Sequence, residues 1–377
     1  MGRPEQPQRQ LTPDPSPKLS FSEALKACMR PVRFCEPPAG CRNKKERLCQ
    51  LCLGSRLDYP SECQVKTSAV RQWSQQFPEL GEVRFVASPQ GRGYRCVSKR
   101  RWLPDRHQLV MVESVDYGKV KGITVQQCQV EPPFHAKIYR QLQQELSQGK
   151  VGSRLNYAIL KSTPSATILL LNMTDPGSHR AEINRISKRL TRSHPQLQGI
   201  WLLKGESGDD YYLNVHPGHS QKLHGLDTLK SEQNLLFSPL CFTQINPFAV
   251  PLMLEASKNW LGDSSLPLLD LYCGYGLFSL ALGRTGPSYG FEISREAIHW
   301  ARRNGKRLHQ NQARFDTWDL SQPLPDSRMP QSAWVAVLDP PRSGASVELI
   351  QQLASHEPLK VVHWICDVEQ TVPQVRA

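Results

Sequence analysis

At 377 residues the chain is long enough for more than one domain, each with its own core. Its formal charge of +13 suits a polyanionic partner, because phosphate backbones attract basic surfaces whatever the base sequence. No apolar run approaches the roughly 20 residues needed to cross a bilayer, and residues 1–18, rich in Pro, Gln and Arg, lack the apolar core of a signal peptide. A cytoplasmic protein with no membrane partner is therefore expected. Without a secretory signal the eleven cysteines are not expected to form disulfides, which turns attention to metal binding or catalysis.

In chain order, residues 1–34 are Pro-rich and patternless, as in a disordered tail. Residues 35–63 are cysteine-dense and loop-like. Val65, Ala69, Val70, Trp73 and Phe77 then recur at near-helical spacing, which predicts an amphipathic helix over 64–77. Strand patterns at 166–173, 199–204 and 211–215 flank a basic helix at 181–192, so residues 35–235 read as an α+β domain. Around its start, Arg92-Gly-Tyr-Arg95 and Ser98-Lys-Arg-Arg-Trp102 interleave basic and aromatic groups, as single-stranded RNA surfaces do.

Residues 236–377 are more regular. Helical stretches at 246–261, 295–309 and 347–356 alternate with short apolar runs at 266–271, 288–293, 334–338 and 361–365. That alternation predicts an α/β domain, a mostly parallel Rossmann-like sheet covered on both faces. Ligands on such sheets bind beyond the carboxyl ends of the strands.

The polar motifs fall there. Asp270-Leu-Tyr-Cys-Gly-Tyr-Gly276 follows one apolar run and opens a helix; Gly274 and Gly276 permit a tight turn and close ligand approach. Glu292 ends the next run, where an acid can accept from ribose hydroxyls. Ser279 occupies the third position of a G-x-G-x-x-G pattern, so the close approach that a dinucleotide pyrophosphate needs is missing. S-adenosyl-L-methionine, which has no phosphate, fits better. Asp319 stands where a carboxylate can meet an adenine amino group or remain a solvated loop acid.

Two further segments carry a family likeness: Asp339-Pro-Pro-Arg-Ser-Gly344 at the end of a strand and Phe242-Thr-Gln-Ile-Asn246 ahead of a helix. With Asp270-Leu-Tyr-Cys-Gly they make the chain, from about Cys41 onward, resemble the RNA (uracil-5-)methyltransferase family. The resemblance implies a class I methyltransferase domain and cofactor contacts from Gln244, Tyr272, Glu292 and Asp339, beside Asp270 and Gly274. It implies an RNA partner, 23S rRNA in the branch that fits best, with no DNA, and a chain acting as a monomer. Gln244 as a helix cap and Tyr272 as core remain the plain alternatives.

Carbon 5 of uracil is a poor nucleophile until a thiolate adds at carbon 6. Cys366, just after the run at 361–365, matches the family's nucleophile, although Asp367 replaces its usual asparagine and an adjacent acid disfavours the thiolate. Cys241 and Cys273 read as structural. The family's proton-abstracting glutamate sits in a His-x-Glu setting well beyond the nucleophile, past Ala377; Glu369 is too near Cys366 to take the role, and no base is assigned. Finally, Cys41, Cys49, Cys52 and the distant Cys128 are soft ligands whose spacing resembles the [4Fe-4S] site of the rRNA branch. Zinc, a tRNA substrate and a catalytically inactive RNA-binding protein of the same fold stay open as alternatives, and Cys35, Cys63 and Cys96 are spare thiols.

Overall fold

The first helix, α1 (Phe21–Met29), begins at a capping box: the Ser20 hydroxyl accepts from the Glu23 N–H while the Glu23 carboxylate accepts from the Ser20 N–H. Such a cap contributes about 1 kcal/mol, and it explains why a segment expected to belong to the disordered tail is helical. α2 (Tyr59–Ser74) buries Val65, Ala69 and Trp73 on one face, as the sequence pattern required. The Trp73 ring meets Phe21 edge-on at 6.1 Å and lies 4.9 Å from Phe77. Together these helices form most of one of two compact units, Met1–Arg33 with Pro60–Val86; the other comprises Phe34–Tyr59 and Ala87–Ala377. The computed structural model describes residues 19–36, 41, 49, 51–78, 81–116, 119–177, 179–205 and 218–366.

The second unit contains two large sheets. Its first half runs β1 (Val97–Leu103), β2 (Gln108–Asp116), β3 (Lys119–Ile123), α3 (Pro133–Gln148), β4 (Leu155–Ser162), β5 (Thr167–Met173), α4 (Arg180–Ser193), β6 (Leu197–Lys204) and β7 (Ser220–Gly225). These strands form a seven-stranded mixed sheet ordered β3-β2-β1-β4-β5-β6-β7. Both central strands, β4 and β5, are buried along their whole length. Successive side chains alternate between faces: Ala158, Leu160, Leu169 and Leu171 pack under α3 and α4, while Tyr157, Ile159, Ile168 and Leu170 pack on the opposite side, in one core with Phe237, Tyr275 and Phe278. A strand covered on both faces reads as an unbroken apolar run, which is what residues 166–173 show. The strand expected at 211–215 lies outside the described residues.

The same alternation splits the basic run at 98–102. Arg100 turns inward and forms a two-pronged ion pair with the buried Glu131, at 2.9 and 2.6 Å. Trp102 is core. Only Lys99 and Arg101 remain on the other face, both over the Tyr157 ring. Half of the expected RNA-facing run is therefore internal structure, and removing one partner of such a buried pair costs about 3–5 kcal/mol.

The chain continues through β8 (Leu229–Lys230), β9 (Leu236–Phe237), α5 (Val250–Leu261), β10 (Leu268–Leu271), α6 (Leu277–Ala281), β11 (Ser288–Glu292), α7 (Arg295–Arg307), β12 (Ala313–Thr317), β13 (Val335–Leu338), α8 (Val347–Ser355) and β14 (Lys360–His363). The last five strands other than β8 and β9 form a parallel sheet ordered β12-β11-β10-β13-β14. Val335 and Val337 face one core, Ala336 and Leu338 the other. The strand order reverses between β10 and β13, so the loops leaving those two strands part and open a crevice at the carboxyl edge. β12 was not anticipated, because Phe315 is its one buried residue among alternating exposed and half-buried neighbours.

Candidate active site

Everything at the crevice depends on the turn after β10. Asp270 is fully buried, and one carboxylate oxygen accepts from the Ser279 N–H at 2.8 Å and from its hydroxyl at 2.6 Å. The turn between them takes three left-handed residues, Tyr272, Gly274 and Gly276, at φ 65°, 55° and 92°. A side chain at Gly276 would meet Leu280 at 2.9 Å, whereas a Cβ at Gly274 would meet nothing within 4 Å. Gly274 is thus demanded by its backbone conformation, and its missing side chain leaves open a place for a ligand against the backbone. Ser279, the departure from the third glycine, is the group that fixes Asp270.

Glu292 stands at the end of β11. Its two oxygens accept from the Gly274 N–H at 3.3 Å and the Ser294 N–H at 2.9 Å. Asp339 follows β13 and accepts from the Gln244 side-chain amide at 2.8 Å. Gln244 therefore ties the loop before α5 to the crevice rather than capping a helix; Asn246, whose side chain accepts from the Phe248 N–H, caps the short 3-10 turn Pro247–Ala249 that leads into α5. Tyr272 is half-buried, its hydroxyl making a long 3.5 Å bond to the Leu320 carbonyl. Asp319 is engaged by Ser321 through its N–H and is fully solvated.

The electrostatics of this edge are one-sided. Burial pushes Asp270 up to about 7, with repulsion from Asp339 and Glu292 adding to it. Burial likewise pushes Asp339 up to about 6, against the Gln244 hydrogen bond, and raises Glu292. One oxygen of Asp270, Oδ1, is buried with no hydrogen-bond partner. Three carboxyl groups at one sheet edge, Asp270 fully buried and Glu292 and Asp339 half-buried, favour a cation, which would relieve their repulsion. A dinucleotide pyrophosphate is the wrong charge; S-adenosyl-L-methionine, carrying a sulfonium and an ammonium, is the right one. The donor set, the orphaned Asp270 oxygen and the open space at Gly274 all fit that cofactor.

Cys366 lies three residues past β14 and is exposed. The Trp364 N–H donates to the Leu338 carbonyl at 2.8 Å, which extends the β13–β14 pairing to within two residues of Cys366. Its main chain is thereby held at the same carboxyl edge as Asp339. Cys241 and Cys273 are buried and their thiols are pushed upward by burial, Cys241 to about 12, which agrees with structural roles. Sequence reasoning missed two residues here. Ile293, next to Glu292, is 62% exposed and offers an apolar surface at the polar end of a strand. Lys161 on β4 is fully buried and donates to the Pro239 and Cys241 carbonyls, anchoring the loop that carries Gln244.

The four cysteines expected to bind a cluster are brought into one neighbourhood. Cys41 and Cys49 are buried, with the Cys49 N–H bonded to the Cys41 carbonyl at 2.9 Å. The Cys41 thiol is pushed up by burial and then by Cys52 and Cys49; the Cys128 thiol is pushed up to about 12 by burial and then by Glu131, with Cys52 also contributing. Yet among the described residues no group of three or more His, Cys, Asp or Glu side chains is arranged to hold a metal ion. The expected [4Fe-4S] site is thus not seen as a formed ligand set among the described residues. No helix among the described residues is long and apolar enough to cross a membrane.

Comparison with known proteins fits this geometry. The fold matches the crystal structure of Pyrococcus abyssi tRNA (uracil-54, C5)-methyltransferase in complex with S-adenosyl-L-homocysteine, with a TM-score of 0.65 and 18% identity, over 88% of this chain and 80% of that one. The five-stranded parallel sheet shares the fold of that methyltransferase. Residues 230–328 match the family described as tRNA (Uracil-5-)-methyltransferase. The 23S rRNA (uracil(747)-C(5))-methyltransferase RlmC of Shewanella sp. strain MR-7 is 21% identical over 85% of this chain and 86% of its own length. An uncharacterised RNA methyltransferase of Oceanobacillus iheyensis is 28% identical over 49% of this chain, but the match spans only 41% of that protein. These likenesses give family-level support for a kinship with the RNA (uracil-5-)methyltransferases, although the chain spans less than half the length of several curated relatives it matches.

Proposed function

We propose that this protein methylates carbon 5 of a uracil in RNA, with 23S rRNA as substrate, acting as a cytoplasmic monomer. The observation that carries the reading is the convergence of the turn at 270–276, Glu292, the Gln244–Asp339 pair and the segment bearing Cys366 on one crevice. Glu292 would accept from ribose hydroxyls in place of the Gly274 N–H, Ile293 and Tyr272 would flank flat or apolar parts of the cofactor, and Asp339, Asp270 and Gln244 would face its cationic end. Bound S-adenosyl-L-methionine supplies a methyl group on a sulfonium. The Cys366 thiolate adds to carbon 6 of the uracil, and the ring electrons move to carbon 5, which takes up the methyl group. A base then removes the carbon 5 proton, and the pair left behind expels the thiolate and restores the 5,6 double bond. Residues 236–377 form the catalytic domain in this reading and residues 35–235 the RNA-binding one.

Cys41, Cys49, Cys52 and Cys128 are proposed as the ligands of a [4Fe-4S] cluster. Soft thiolates suit iron, and the Cys49 N–H bond to the Cys41 carbonyl holds two of these residues together. The test of the function is methyl transfer from labelled S-adenosyl-L-methionine to a 23S rRNA transcript, with the product identified as 5-methyluridine. Binding of RNA and cofactor without transfer would instead assign an inactive RNA-binding protein of the same fold.

A further inference from the structure

α3 and α4 lie antiparallel on the outer face of the seven-stranded sheet. The Gln141 amide reaches the Ser193 hydroxyl at 3.4 Å, Arg189 pairs with Glu145 at 3.1 Å, and Glu182 accepts from the Lys150 N–H at 3.0 Å. At the opposite end from Lys150, Lys137 acts on His194, whose pKa is lowered first by burial and then by that lysine. Ile183, Ile186 and Leu190 point into the core, so the 3.6-residue period leaves Arg185, Lys188, Arg189 and Arg192 outward. Lys137 and Arg140 of α3 are exposed beside them.

We propose that this two-helix face is a dock for the phosphate backbone of RNA, separate from the methylation crevice. Glu145 neutralises only Arg189 of this face, and Glu182 accepts from the backbone at Lys150 and Val151. Among the described residues no acid pairs with Arg185, Lys188 or Arg192. Those three stand about one turn apart, roughly 5.4 Å along the axis, so the stripe presents one positive charge per turn to a chain bearing one phosphate per nucleotide. Among the described residues of α3 and α4 no large apolar side chain is exposed, so the face lacks the apolar anchors that a protein interface buries at its centre. The inference rests on the proposed RNA substrate for the class of polyanion, and its test involves no methyl transfer.

The experiment is fluorescence anisotropy of a labelled RNA hairpin against the full chain and a triple variant, Arg185→Gln, Lys188→Gln, Arg192→Gln, across a salt series. These side chains are exposed, so the variant should melt at the same temperature and bind S-adenosyl-L-methionine unchanged. The dock predicts that the slope of log affinity against log salt becomes shallower by about 2–3, at about 0.7–0.9 for each phosphate no longer neutralised, with affinity falling at least tenfold at low salt. An unchanged slope would overturn it. So would an equal loss on neutralising Arg295, Arg303 and Lys306 of α7, which would mean that bulk charge alone was responsible. Binding of the wild type to phosphatidylserine vesicles and not to RNA would assign the face to lipid and also overturn it. A wild type that binds RNA with the expected slope yet transfers no methyl group would uphold the dock and defeat the catalytic reading.

Discussion

The Gln244 side-chain amide donates to the Asp339 carboxylate at 2.8 Å, although the two residues belong to different motifs, one ahead of α5 and the other at the end of β13. This bond ties the loop before α5 to the end of β13 and leaves an acid, raised to about 6 by burial, at the carboxyl edge of the sheet.

The first prediction follows from that acid. Above about pH 6 Asp339 is ionised and attracts a cationic ligand; below it the carboxyl is neutral and the attraction is lost. Affinity for S-adenosyl-L-methionine should therefore fall as pH drops through this value, by roughly tenfold between about pH 7.5 and pH 5, with a proton released on binding at the lower pH. Glu292, also raised, and Asp270, raised to about 7, act in the same sense. Calorimetric titration at both pH values checks this, and Asp339→Asn should remove its own share of the dependence. Equal pH dependence in the variant would show that Asp339 does not face the cation.

The second concerns the nucleophile. Cys366→Ala should lower methyl transfer by at least roughly a thousandfold while leaving cofactor affinity unchanged. A transcript with 5-fluorouridine at the target should give the wild type a covalent complex that survives denaturing electrophoresis, because no proton can leave carbon 5. The Ala variant should give none. Retained turnover in Cys366→Ala would mean that another thiol, or none, attacks the ring.

How far the site was legible from sequence depended on whether a residue acts through its own motif or through a remote partner. Asp270, Gly274 and Glu292 sit at strand ends where the parallel pattern alone places ligand groups, and the structure puts them at the β10 and β11 edges of one crevice. The Ser279 bond to Asp270 spans one turn, so the missing third glycine could be noticed but its purpose could not. Lys161 was invisible because a lysine in an apolar run looks like a solvated strand position; only the pairing of β4 shows it enclosed. Arg100 and Trp102 were misplaced for the converse reason, since a basic and aromatic run says nothing about which alternate positions face inward until the partner strands are known.

The third prediction concerns the cysteine group. Anaerobic purification from iron-supplied cells should yield a brown protein with the broad visible absorbance of iron–sulfur charge transfer. Cys52→Ser should lose most of that colour, since it removes one of the four proposed thiolate ligands. A colourless protein carrying stoichiometric zinc would replace the cluster assignment with a zinc one.

The last prediction concerns Lys161, a positioning residue without access to the crevice. Burial holds its ammonium down to about 8, partly offset by Cys241 and Cys96. From about pH 8 to the ordinary lysine value the unfolded chain carries a proton that the folded chain lacks, so this side chain favours folding increasingly as pH rises through that window. In Lys161→Met the buried charge is gone, but the Pro239 and Cys241 carbonyls lose their donor, at a cost of about 1–3 kcal/mol for each group left unsatisfied. The two effects oppose each other near neutrality, so overall stability there should change little. The loop carrying Gln244 loses its anchor, however, and cofactor affinity should weaken by about tenfold, or ~1.4 kcal/mol. Urea melts at pH 7.5 and 10 give the linkage: the stability of wild type relative to variant should be greater at the higher pH. A difference that does not move with pH, together with unchanged cofactor affinity, would leave Lys161 as an ordinary core side chain with no influence on the Gln244–Asp339 pair.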